Sequence, residues 1–503
     1  MTSSEYLLVI DQGTTSSRVA LFDRNARMAA MAQAEFPQHY PHPGWVEHDA
    51  EQIWQDVCML IERAMAQLPG RRAVIRAIGM TNQRETTVLW RRDTGQVLGP
   101  AIVWQDRRTA DFCQEHRERE NWLHQKTGLV LDPYFSATKM RWLLEHAAGD
   151  LPPDRLALGT IDSFLIWRLT GGNRHVTDRT NASRTLLLSL QTATWDEELC
   201  RFFAVPRNLL PDVLPSTADF GSTRGLAVLP DGIPICAVAG DQQASLLGQG
   251  GWEAGRAKCT FGTGAFLLLH TGGQCVHSRA RLLTTLAAGF DESLQYAIEG
   301  SLFAAGAVVQ WLRDELKLVE HAAQIDALAS KATAGSPVLF VPALVGLGAP
   351  HWVAEAAGTI FGITRGTTAA DLARAALEGV ALQVHDLIEA IAVDFPERLH
   401  SMRVDGGMAR SDFFIQLLAD LLAIPVDRVQ QTESTALGVA LLAGYASGWW
   451  QDREALESLV SIDRRFLPSL DQTARSQVIT RWKNAVQSTI QYYRSLGESR
   501  SCS

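Results

Sequence analysis

The chain has 503 residues, about three times the usual length of one domain, so two or three domains are expected. With 46% hydrophobic and 20% charged residues it has the composition of a folded globular protein, which excludes a mainly disordered chain. The formal net charge of -9 disfavours nucleic acids and acidic membrane surfaces as partners.

Other features of composition narrow the class of protein. The seven cysteines are far apart and form no C-x-x-C pair, which favours reduced thiols and a cytoplasmic location. The N-terminus lacks the basic and apolar regions of a signal peptide, and the uncharged run 338–354 contains prolines and glycines, so no membrane insertion is predicted. Four isolated arginine pairs, interpreted as solvated surface, give no nucleic-acid stripe: 71–72, 91–92, 107–108 and 464–465.

The chain begins with a predicted β-hairpin, whose strands at 6–10 and 19–22 flank a polar tip. A glycine, hydroxyl groups and backbone N–H groups in such a tip suit an anion, so Thr14, Thr15 and Ser16 are candidate phosphate contacts. An ordinary turn is the alternative. Asp11 ends the first strand, where a carboxylate can hold Mg²⁺ directly or through water; an Asx-turn residue is the alternative there.

The polar run 82–87 follows a predicted strand at 77–80. It places Arg84, which only donates hydrogen bonds, beside Glu85, which only accepts them, and the hydroxyls of a polyol need both kinds of partner. A surface ion pair is the alternative interpretation. Three aromatic residues are, taken singly, typical of a core or its edge: Trp104, Tyr134 and Phe266.

Asp241 follows a short apolar run at 235–239 and precedes a predicted helix. It is either the N-cap of that helix or a general base that takes a hydroxyl proton during phosphoryl transfer. A carboxylate is a weak base, but a loose transition state postpones proton loss, so a weak base suffices.

A second hairpin is predicted at 258–269, with Thr263 between two glycines at its tip. Because it repeats the first hairpin, we expect two halves and a second phosphate contact at Thr263. The glycine-rich stretch 248–256 is the best boundary, which gives domains at 1–248 and 249–503.

The second half alternates predicted helices at 301–316, 371–392 and 411–423 with a strand at 402–404, which predicts an α/β fold. Gly306 and Gln310 share one face of the first helix. A glycine inside a helix is costly unless a ligand or a neighbouring helix needs the space. Gly407 lies in a turn where bare backbone suits an adenosine, with a plain turn as the alternative.

Common nucleotide-binding signatures are missing from the sequence. No Gly-Lys dipeptide is present, which excludes a P-loop, and Gly262-Thr263-Gly264 does not continue as G-x-G-x-x-G. Any phosphate site must therefore use other means, which the hairpin tips offer.

In combination, these motifs resemble those of the FGGY carbohydrate kinases over nearly the whole chain. The stretches at 134–146 and 358–378 are similar to the two general signatures of that family. The most specific runs are DQGTTSSR at 11–18, PGWVEHD at 43–49, TNQRETT at 81–87, DPY at 132–134, AGDQQA at 239–244, GTG at 262–264 and QWLRDE at 310–315.

The resemblance implies two ribonuclease-H-like domains, as in actin and hexokinase, closing over ATP and a polyol. It implies Mg²⁺-dependent phosphorylation of glycerol by ATP, with Asp241 as the base and Asp11 near the metal. Implied contacts to glycerol are Arg84, Glu85, Trp104, Tyr134, Asp241, Gln242 and Phe266. Implied contacts to ATP are Thr14, Thr15, Ser16, Arg18, Thr263, Gly306, Gln310, Gly407 and Ser411.

Two positions depart from the family pattern. Ser411 stands where an asparagine is usual near the nucleotide base, which predicts weaker or water-mediated adenine contacts, and residues 353–357 replace a usual Asp-Pro-x-Ala-Arg run. Family habit predicts a homo-oligomer, either a dimer or a tetramer. Two alternatives remain: a kinase for another short polyol or a ketose, and a non-catalytic nucleotide-dependent sensor on the same fold.

Overall fold

The computed structural model describes residues 5–68, 74–396, 399–430 and 433–501. It is built around two mixed β-sheets, each with helices packed against it. We call the part up to residue 248, with the first sheet, the N-terminal lobe, and the part from residue 257, with the second sheet, the C-terminal lobe. The predicted α/β class is confirmed.

The strands of the N-terminal lobe are β1 (Glu5–Gln12), β2 (Ser16–Phe22), β3 (Met28–Glu35), β4 (Glu47–His48), β5 (Val74–Asn82), β6 (Thr87–Arg91), β7 (Ala101–Ile102), β8 (Leu156–Thr160), β9 (Val176–Asp178), β10 (Leu188–Ser189), β11 (Thr194–Trp195), β12 (Asp212–Leu214) and β13 (Ile235–Gly240). Its helices are α1 (Ala50–Ala66), α2 (Ala110–Glu115), α3 (Glu120–Thr127), α4 (Ser136–His146), α5 (Ile161–Leu169), α6 (Arg179–Ala182), α7 (Glu197–Phe202) and α8 (Asp241–Gly248).

The strands of the C-terminal lobe are β14 (Ala257–Phe261), β15 (Ala265–Gly272), β16 (Leu283–Leu286), β17 (Tyr296–Leu302), β18 (Leu339–Val341), β19 (Thr359–Phe361), β20 (Met402–Gly406), β21 (Val426–Val429) and β22 (Ile462–Phe466). Its helices are α9 (Gly306–Asp314), α10 (Ile325–Ala329), α11 (Ala369–Asp394), α12 (Asp412–Leu422), α13 (Ser434–Ala446), α14 (Arg453–Glu457) and α15 (Gln472–Ser501).

The two sheets share one topology. The first has the order β13-β5-β1-β2-β3, and the second contains β21-β20-β14-β15-β17 with an extra strand at each edge. In both, an antiparallel hairpin is followed by an antiparallel third strand, and two later strands add in parallel beside the first strand. The repeat predicted from the two hairpins is therefore a repeat of a whole sheet.

Two helices lie between the sheets and join the lobes. α8 follows the N-terminal sheet, yet α13 of the C-terminal half packs against α8 and against β1 and β5. Glycines permit this close approach: a Cβ on Gly438 would lie 1.8 Å from the Ala244 carbonyl oxygen, and one on Gly248 would lie 1.9 Å from that of Ser434. The helices therefore touch backbone to backbone.

Most predicted elements are confirmed, with ends shifted by a few residues, but for the helix expected at 301–316 the predicted start is wrong. Residues up to Leu302 belong to β17, and α9 begins only at Gly306. In α11, the start is fixed by a capping box in which Thr368 and Asp371 bond each other's backbone N–H groups. The domain limits 1–248 and 249–503 stay a prediction.

The predictions about the arginine pairs, the cysteines and membrane insertion have different outcomes. Arg108, predicted to be solvated, is buried between Asp106 and Glu47, with its guanidinium 3.8 Å from the centre of the Trp45 ring. The predicted pair at 71–72 and Cys502 lie outside the described residues. The six described cysteines are free thiols. Within the described ranges, no helix combines the length and apolar character needed to span a bilayer.

Candidate active site

The predicted site residues of the N-terminal lobe meet at one edge of its sheet. β1, β5 and β13 run parallel, so their carboxyl ends bring Asp11, the run after Asn82, and Asp241 to the same side. The same edge faces the C-terminal lobe, because the lobes are joined here by side-chain contacts from β14, β17 and the start of α13.

Asp241 is the first residue of α8, whose N-cap is Gly240. The alternative interpretation of Asp241 as the N-cap is therefore wrong. Its side chain is 29% exposed, and Oδ1 lies 3.2 Å from Arg84 Nε. The carboxylate is thus fixed on one side by a guanidinium and is open to solvent on the other.

Arg84 and Glu85 are buried, so the alternative of a surface ion pair is wrong. They belong to a charged cluster with Arg184 and Glu299, which we call the buried quartet. Arg84 donates to both oxygens of Glu299, and Arg184 donates to Glu85 Oε1 at 2.6 Å and to Glu299 Oε1 at 2.9 Å. Two cations and two carboxylates thus alternate and neutralise one another.

The backbone helps to present this cluster. Glu85 has a φ of 61°, a left-handed conformation that is uncommon for a residue other than glycine and costs about 1 kcal/mol or more. Ser136, the first residue of α4, donates to the Glu85 carbonyl oxygen at 3.0 Å. The turn between β5 and β6 is therefore held in a strained form at the site.

Burial and neighbouring charges set the protonation of the quartet. Burial alone would raise the pKa of Glu299, but the charges of Arg184 and Arg84 lower that pKa to about 2. For Glu85, burial outweighs the same two cations and raises the pKa above its usual value. Burial also raises the pKa of Tyr134, and the charge of Glu85 adds to the shift, so this phenol stays neutral.

The predicted aromatic residues lie on both lobes. The rings of Trp104 and Tyr134 meet edge to face with centres 5.5 Å apart, and the Arg184 guanidinium lies 5.6 Å from the Tyr134 ring. Phe266 lies on β15 of the other lobe, opposite Thr260 and Ser301. Trp104 and Tyr134 are therefore brought together with the quartet. Phe266 is paired with Ser301, two residues along β17 from Glu299, so its side chain lies on the same face of the sheet as Glu299, and its contact with the polyol stays a prediction.

Gln242 is held by a lysine of the C-terminal lobe. Lys258, which is buried on β14, donates to Gln242 Oε1 at 2.5 Å and to Thr260 Oγ1 at 2.9 Å. An ammonium group only donates, so it fixes the amide oxygen toward itself and leaves the Gln242 NH₂ group as a donor on the other side.

The first hairpin tip is anchored at several points. Gln38 donates to the Thr14 carbonyl oxygen, Gln33 donates to Ser16 Oγ, and the Trp104 indole donates to Thr14 Oγ1. The tip is closed by a bond from the Gly13 N–H to the Ser16 carbonyl. Thr15 is exposed between these anchors.

Arg18 pairs across the lobes with Glu433, the N-cap residue of α13. Its Nη1 also lies 3.6 Å from Asp11 Oδ2, beyond hydrogen-bonding distance. Burial raises the pKa of Asp11 to about 7 although Arg18 opposes the shift, and the carboxylates of Asp241 and Glu433 raise it further. A buried carboxylate that lies near other carboxylates suits a divalent cation, which would neutralise its charge.

The second hairpin tip docks on the start of α9. The Gly262 carbonyl accepts from the Gly306 N–H, and the Thr263 carbonyl accepts from the N–H groups of Ala305 and Ala307. A Cβ on Gly306 would lie 2.5 Å from the Gly262 carbonyl oxygen. Gly306 is thus the first residue of the helix, and the hairpin occupies the space that a ligand or a neighbouring helix was expected to fill.

Gln310 lies one turn further along α9 and is exposed. Gly407 has open space where a Cβ would be, unlike its neighbour Gly406, whose Cβ would lie 2.3 Å from the Phe261 carbonyl oxygen. Ser411 caps α12 by accepting from the Phe414 N–H, and its hydroxyl donates to Asp326. The nucleotide roles of these residues stay predictions, and the Ser411 proton is already committed.

Three residues of the site were missed by sequence reasoning: Arg184, Lys258 and Glu299. Lys258 and Glu299 are the only charged residues of two largely buried strands, β14 and β17. A charge inside a buried strand is costly unless it is paired, so these charges were a usable signal. No comparable pattern marks Arg184, which lies in a polar run.

Comparison with known proteins gives a consistent result. The model of the FGGY family of carbohydrate kinases, N-terminal domain, matches residues 6–248, and that of the C-terminal domain matches residues 257–447. A glycerol kinase of Agrobacterium fabrum is 51% identical over 488 residues, which cover 96% of this chain and 98% of that protein. A glycerol kinase of Deinococcus radiodurans is 49% identical over 490 residues, covering 97% and 98% respectively.

Solved structures agree with the sequence comparison. The crystal structure of Plasmodium falciparum glycerol kinase with ADP matches with a TM-score of 0.92 at 35% identity, covering 97% of this chain and 98% of that one. A ligand-bound xylulose kinase from Lactobacillus acidophilus matches with a TM-score of 0.83 at 23% identity, covering 99% of both chains. The second match is a likeness of fold alone.

Proposed function

The chain belongs to the FGGY family of carbohydrate kinases, and we propose that it transfers the γ-phosphoryl group of ATP to a terminal hydroxyl of glycerol. The products are sn-glycerol 3-phosphate and ADP. The observation that carries the proposal is the position of Asp241: an accessible carboxylate, fixed by Arg84, at the edge where the two lobes meet. Glycerol kinases that match this chain over nearly its full length support glycerol as the substrate.

Asp241 acts as the general base. The hydroxyl oxygen forms a bond to the γ-phosphorus as the bond from that phosphorus to the β–γ bridging oxygen breaks, and the hydroxyl proton passes to Asp241. Its ion pair with Arg84 Nε, at 3.2 Å, orients the carboxylate and leaves the second oxygen free for the alcohol. Positioning is the main contribution of the protein in such a reaction.

The polyol is bound by both hydrogen-bond donors and hydrogen-bond acceptors. Glu85 accepts, the Arg84 guanidinium and the Gln242 NH₂ group donate, and the neutral Tyr134 phenol does both. Trp104 covers the carbon chain from the N-terminal lobe and Phe266 covers it from the C-terminal lobe. A small triol is thus enclosed by hydrogen-bonding groups on one side and by aromatic rings on the other.

ATP lies between the two hairpins. Thr14, Thr15, Ser16 and Arg18 hold phosphates from the N-terminal lobe, and Thr263 approaches them from the other lobe. Gly306, Gln310, Gly407 and Ser411 line the nucleoside, and the open space at Gly407 fits a ligand packed against its backbone. Asp11 would hold Mg²⁺, and that cation would supply neutralising charge for the transferring phosphoryl group.

The direct test is ADP release measured by a coupled assay with a panel of polyols and ketoses. We expect the highest kcat/KM with glycerol. A higher value with a longer polyol or with xylulose would support the alternative substrate class, and no release with any of them would support a sensor. Xylulose belongs in the panel because a xylulose kinase shares this fold.

Three further parts of the proposal concern organisation. We place the domains at 1–248 and 249–503, since the loop between α8 and β14 joins the two repeated sheets. We also propose a cytoplasmic location and a homo-oligomer of two or four subunits. The distribution of the native protein on fractionation and its mass in solution test these two statements.

A further inference from the structure

We infer that Glu299 of the C-terminal lobe is a positioning residue for the polyol site of the N-terminal lobe: it holds Arg84 in the orientation that leaves one oxygen of Asp241 free. The inference rests on the proposed function, because it assigns the cause of an orientation that the function needs. Glu299 itself touches Arg84 and Arg184, and acts on the substrate only through them.

The contact is two-pronged and buried. Glu299 Oε2 accepts from Arg84 Nη1 at 2.5 Å, and Oε1 accepts from Arg84 Nη2 at 3.2 Å. The side chain of Glu299 is 0% exposed and that of Arg84 is 2% exposed. Parallel bonds of a carboxylate to a guanidinium fix the plane of the guanidinium as well as its position.

Glu299 is itself held rigidly. It lies inside β17, where it is paired with Leu268 of β15 on one side and with Leu283 of β16 on the other. Arg184 Nη2 donates to Glu299 Oε1 at 2.9 Å and fixes the carboxylate from a third direction. A group on a central strand is placed more precisely than one on a loop, so Arg84 is oriented by the framework of the opposite lobe.

The orientation determines what Arg84 can do at the site. With both Nη atoms engaged by Glu299, the guanidinium presents its Nε edge to Asp241, at 3.2 Å from Oδ1. If Glu299 lost its charge, Asp241 and Glu85 would be the remaining carboxylates beside Arg84. The Nη groups would then turn toward Asp241 and occupy the oxygens that must receive the alcohol.

This arrangement also explains why a charge lies in the largely buried strand β17. A buried carboxylate costs several kcal/mol unless it is paired, and a structural role alone is served as well by an apolar residue. Here the carboxylate neutralises two cations that come from the other lobe. The polyol site is therefore complete only when the two lobes are together.

The experiment compares Glu299→Gln and Glu299→Asp with the native enzyme. Glutamine keeps the shape but removes the charge; aspartate keeps the charge but retracts it. For Glu299→Gln we expect KM for glycerol to rise about 10-fold or more, the effect of losing a hydrogen bond between charged groups, with KM for ATP changed by less than about 2-fold. For Glu299→Asp we expect a smaller rise in KM for glycerol, because the charge is kept.

A matched control is Asp427→Asn, which removes another buried carboxylate that bonds an arginine through both oxygens, that of Arg465. It should leave KM for glycerol unchanged. In addition, the rise in thermal midpoint caused by glycerol should be lost in Glu299→Gln and kept in Asp427→Asn. If Glu299→Gln fails to fold, Glu299→Asp carries the same comparison, with a smaller rise in KM.

A double-mutant cycle tests whether Glu299 acts through Arg84. In an Arg84→Lys background, Glu299→Gln should add little to KM for glycerol, because lysine cannot make the paired bonds. Equal losses for both substrates, or a lower thermal midpoint with unchanged KM for glycerol, would overturn the inference and leave Glu299 a structural role. Failure of the proposed function differs, since it shows in the native enzyme as no turnover of glycerol; the cycle is then run with the polyol that the panel selects.

Discussion

The indole N–H of Trp104 donates a hydrogen bond to Thr14 Oγ1 at 2.9 Å. Trp104 is the proposed wall of the polyol site, and Thr14 is in the hairpin proposed to hold the phosphates of ATP. One bond thus links the two substrate sites within the N-terminal lobe, while the Trp104 ring keeps its edge-to-face contact with Tyr134.

Trp104→Phe removes this bond and keeps an aromatic ring. We expect KM for ATP to rise by about 2- to 10-fold, because a neutral hydrogen bond contributes about 0.5–1.5 kcal/mol. Steady-state kinetics with ATP varied at saturating glycerol measure the effect. Trp122→Phe on α3, where the indole packs against Phe202, is the control and should leave KM for ATP unchanged. An unchanged KM for ATP in Trp104→Phe would show that the bond does not support the hairpin.

Gly407→Ala tests the place of the nucleotide. A Cβ at residue 407 meets nothing within 4 Å, so the fold accommodates alanine and the thermal midpoint should not change. A ligand packed against that backbone would meet the methyl group, and a contact forced into a packed site costs about 1–3 kcal/mol. We therefore expect KM for ATP to rise about 10-fold, as measured by kinetics and by calorimetric titration with ADP.

Gly406→Ala is the companion variant, for which we expect a change in the thermal midpoint. Its φ of 91° and the Phe261 carbonyl oxygen, 2.3 Å from the added Cβ, make alanine a poor fit, so the thermal midpoint should fall. If Gly407→Ala binds ADP as tightly as the native protein, the nucleotide does not lie against this turn.

Sequence patterns predicted the parts of the fold that depend on local chemistry. Alternation and turn residues gave both hairpins, and the polar side chains at strand ends gave the N-terminal part of the site, because strand ends on one side of a parallel sheet must meet. The start of α9 could not be read in this way. Gly306 is required by a carbonyl group of Gly262, more than forty residues earlier in the chain, and no local pattern records such a contact.

The buried quartet is the second part of the structure that sequence patterns could not predict. Arg84 and Glu85 are adjacent in sequence, and an adjacent pair of opposite charges usually means a weak surface contact. Arg184 lies 99 positions from Glu85, and Glu299 lies 215 positions from Arg84. The fold of the N-terminal lobe brings in Arg184, and the meeting of the two lobes brings in Glu299. Sequence reasoning can name such a residue when it is the only charge in a predicted buried strand, but it cannot identify the partner.

Acidification should destabilise the protein through His175. Burial, aided by the charge of Arg92, lowers the pKa of His175 to about 3 from an ordinary value of 6.5. Below pH 6.5, His175 binds a proton in the unfolded chain but not in the folded chain. The contribution of this group to the free energy of unfolding is therefore fully present above pH 6.5 and is lost as the pH falls toward 3. The loss from this group is about 1.4 kcal/mol per pH unit within that window.

His175→Phe keeps the ring that meets Trp90 edge to face at 5.1 Å and removes the titration. The difference between urea midpoints at pH 7.5 and pH 5.5 should therefore be smaller in this variant than in the native protein. His400→Phe, at an exposed position, serves as the reference and should keep the native difference. An equal difference in both variants would show that folding does not change proton binding by His175 between pH 5.5 and pH 7.5.

Asp241→Asn tests the proposed base directly. Asparagine keeps the size of the side chain and an oxygen for Arg84 Nε, which now lies 3.2 Å from the carboxylate, so both substrates should still bind. It cannot take the hydroxyl proton, and a positioned base contributes on the order of 10²- to 10⁴-fold, so kcat should fall by that factor with KM for ATP nearly unchanged. Asp154→Asn, on the exposed turn before β8, should keep native kcat. Native turnover in Asp241→Asn would remove Asp241 from the chemistry and, with it, the reason for keeping its second oxygen free of Arg84.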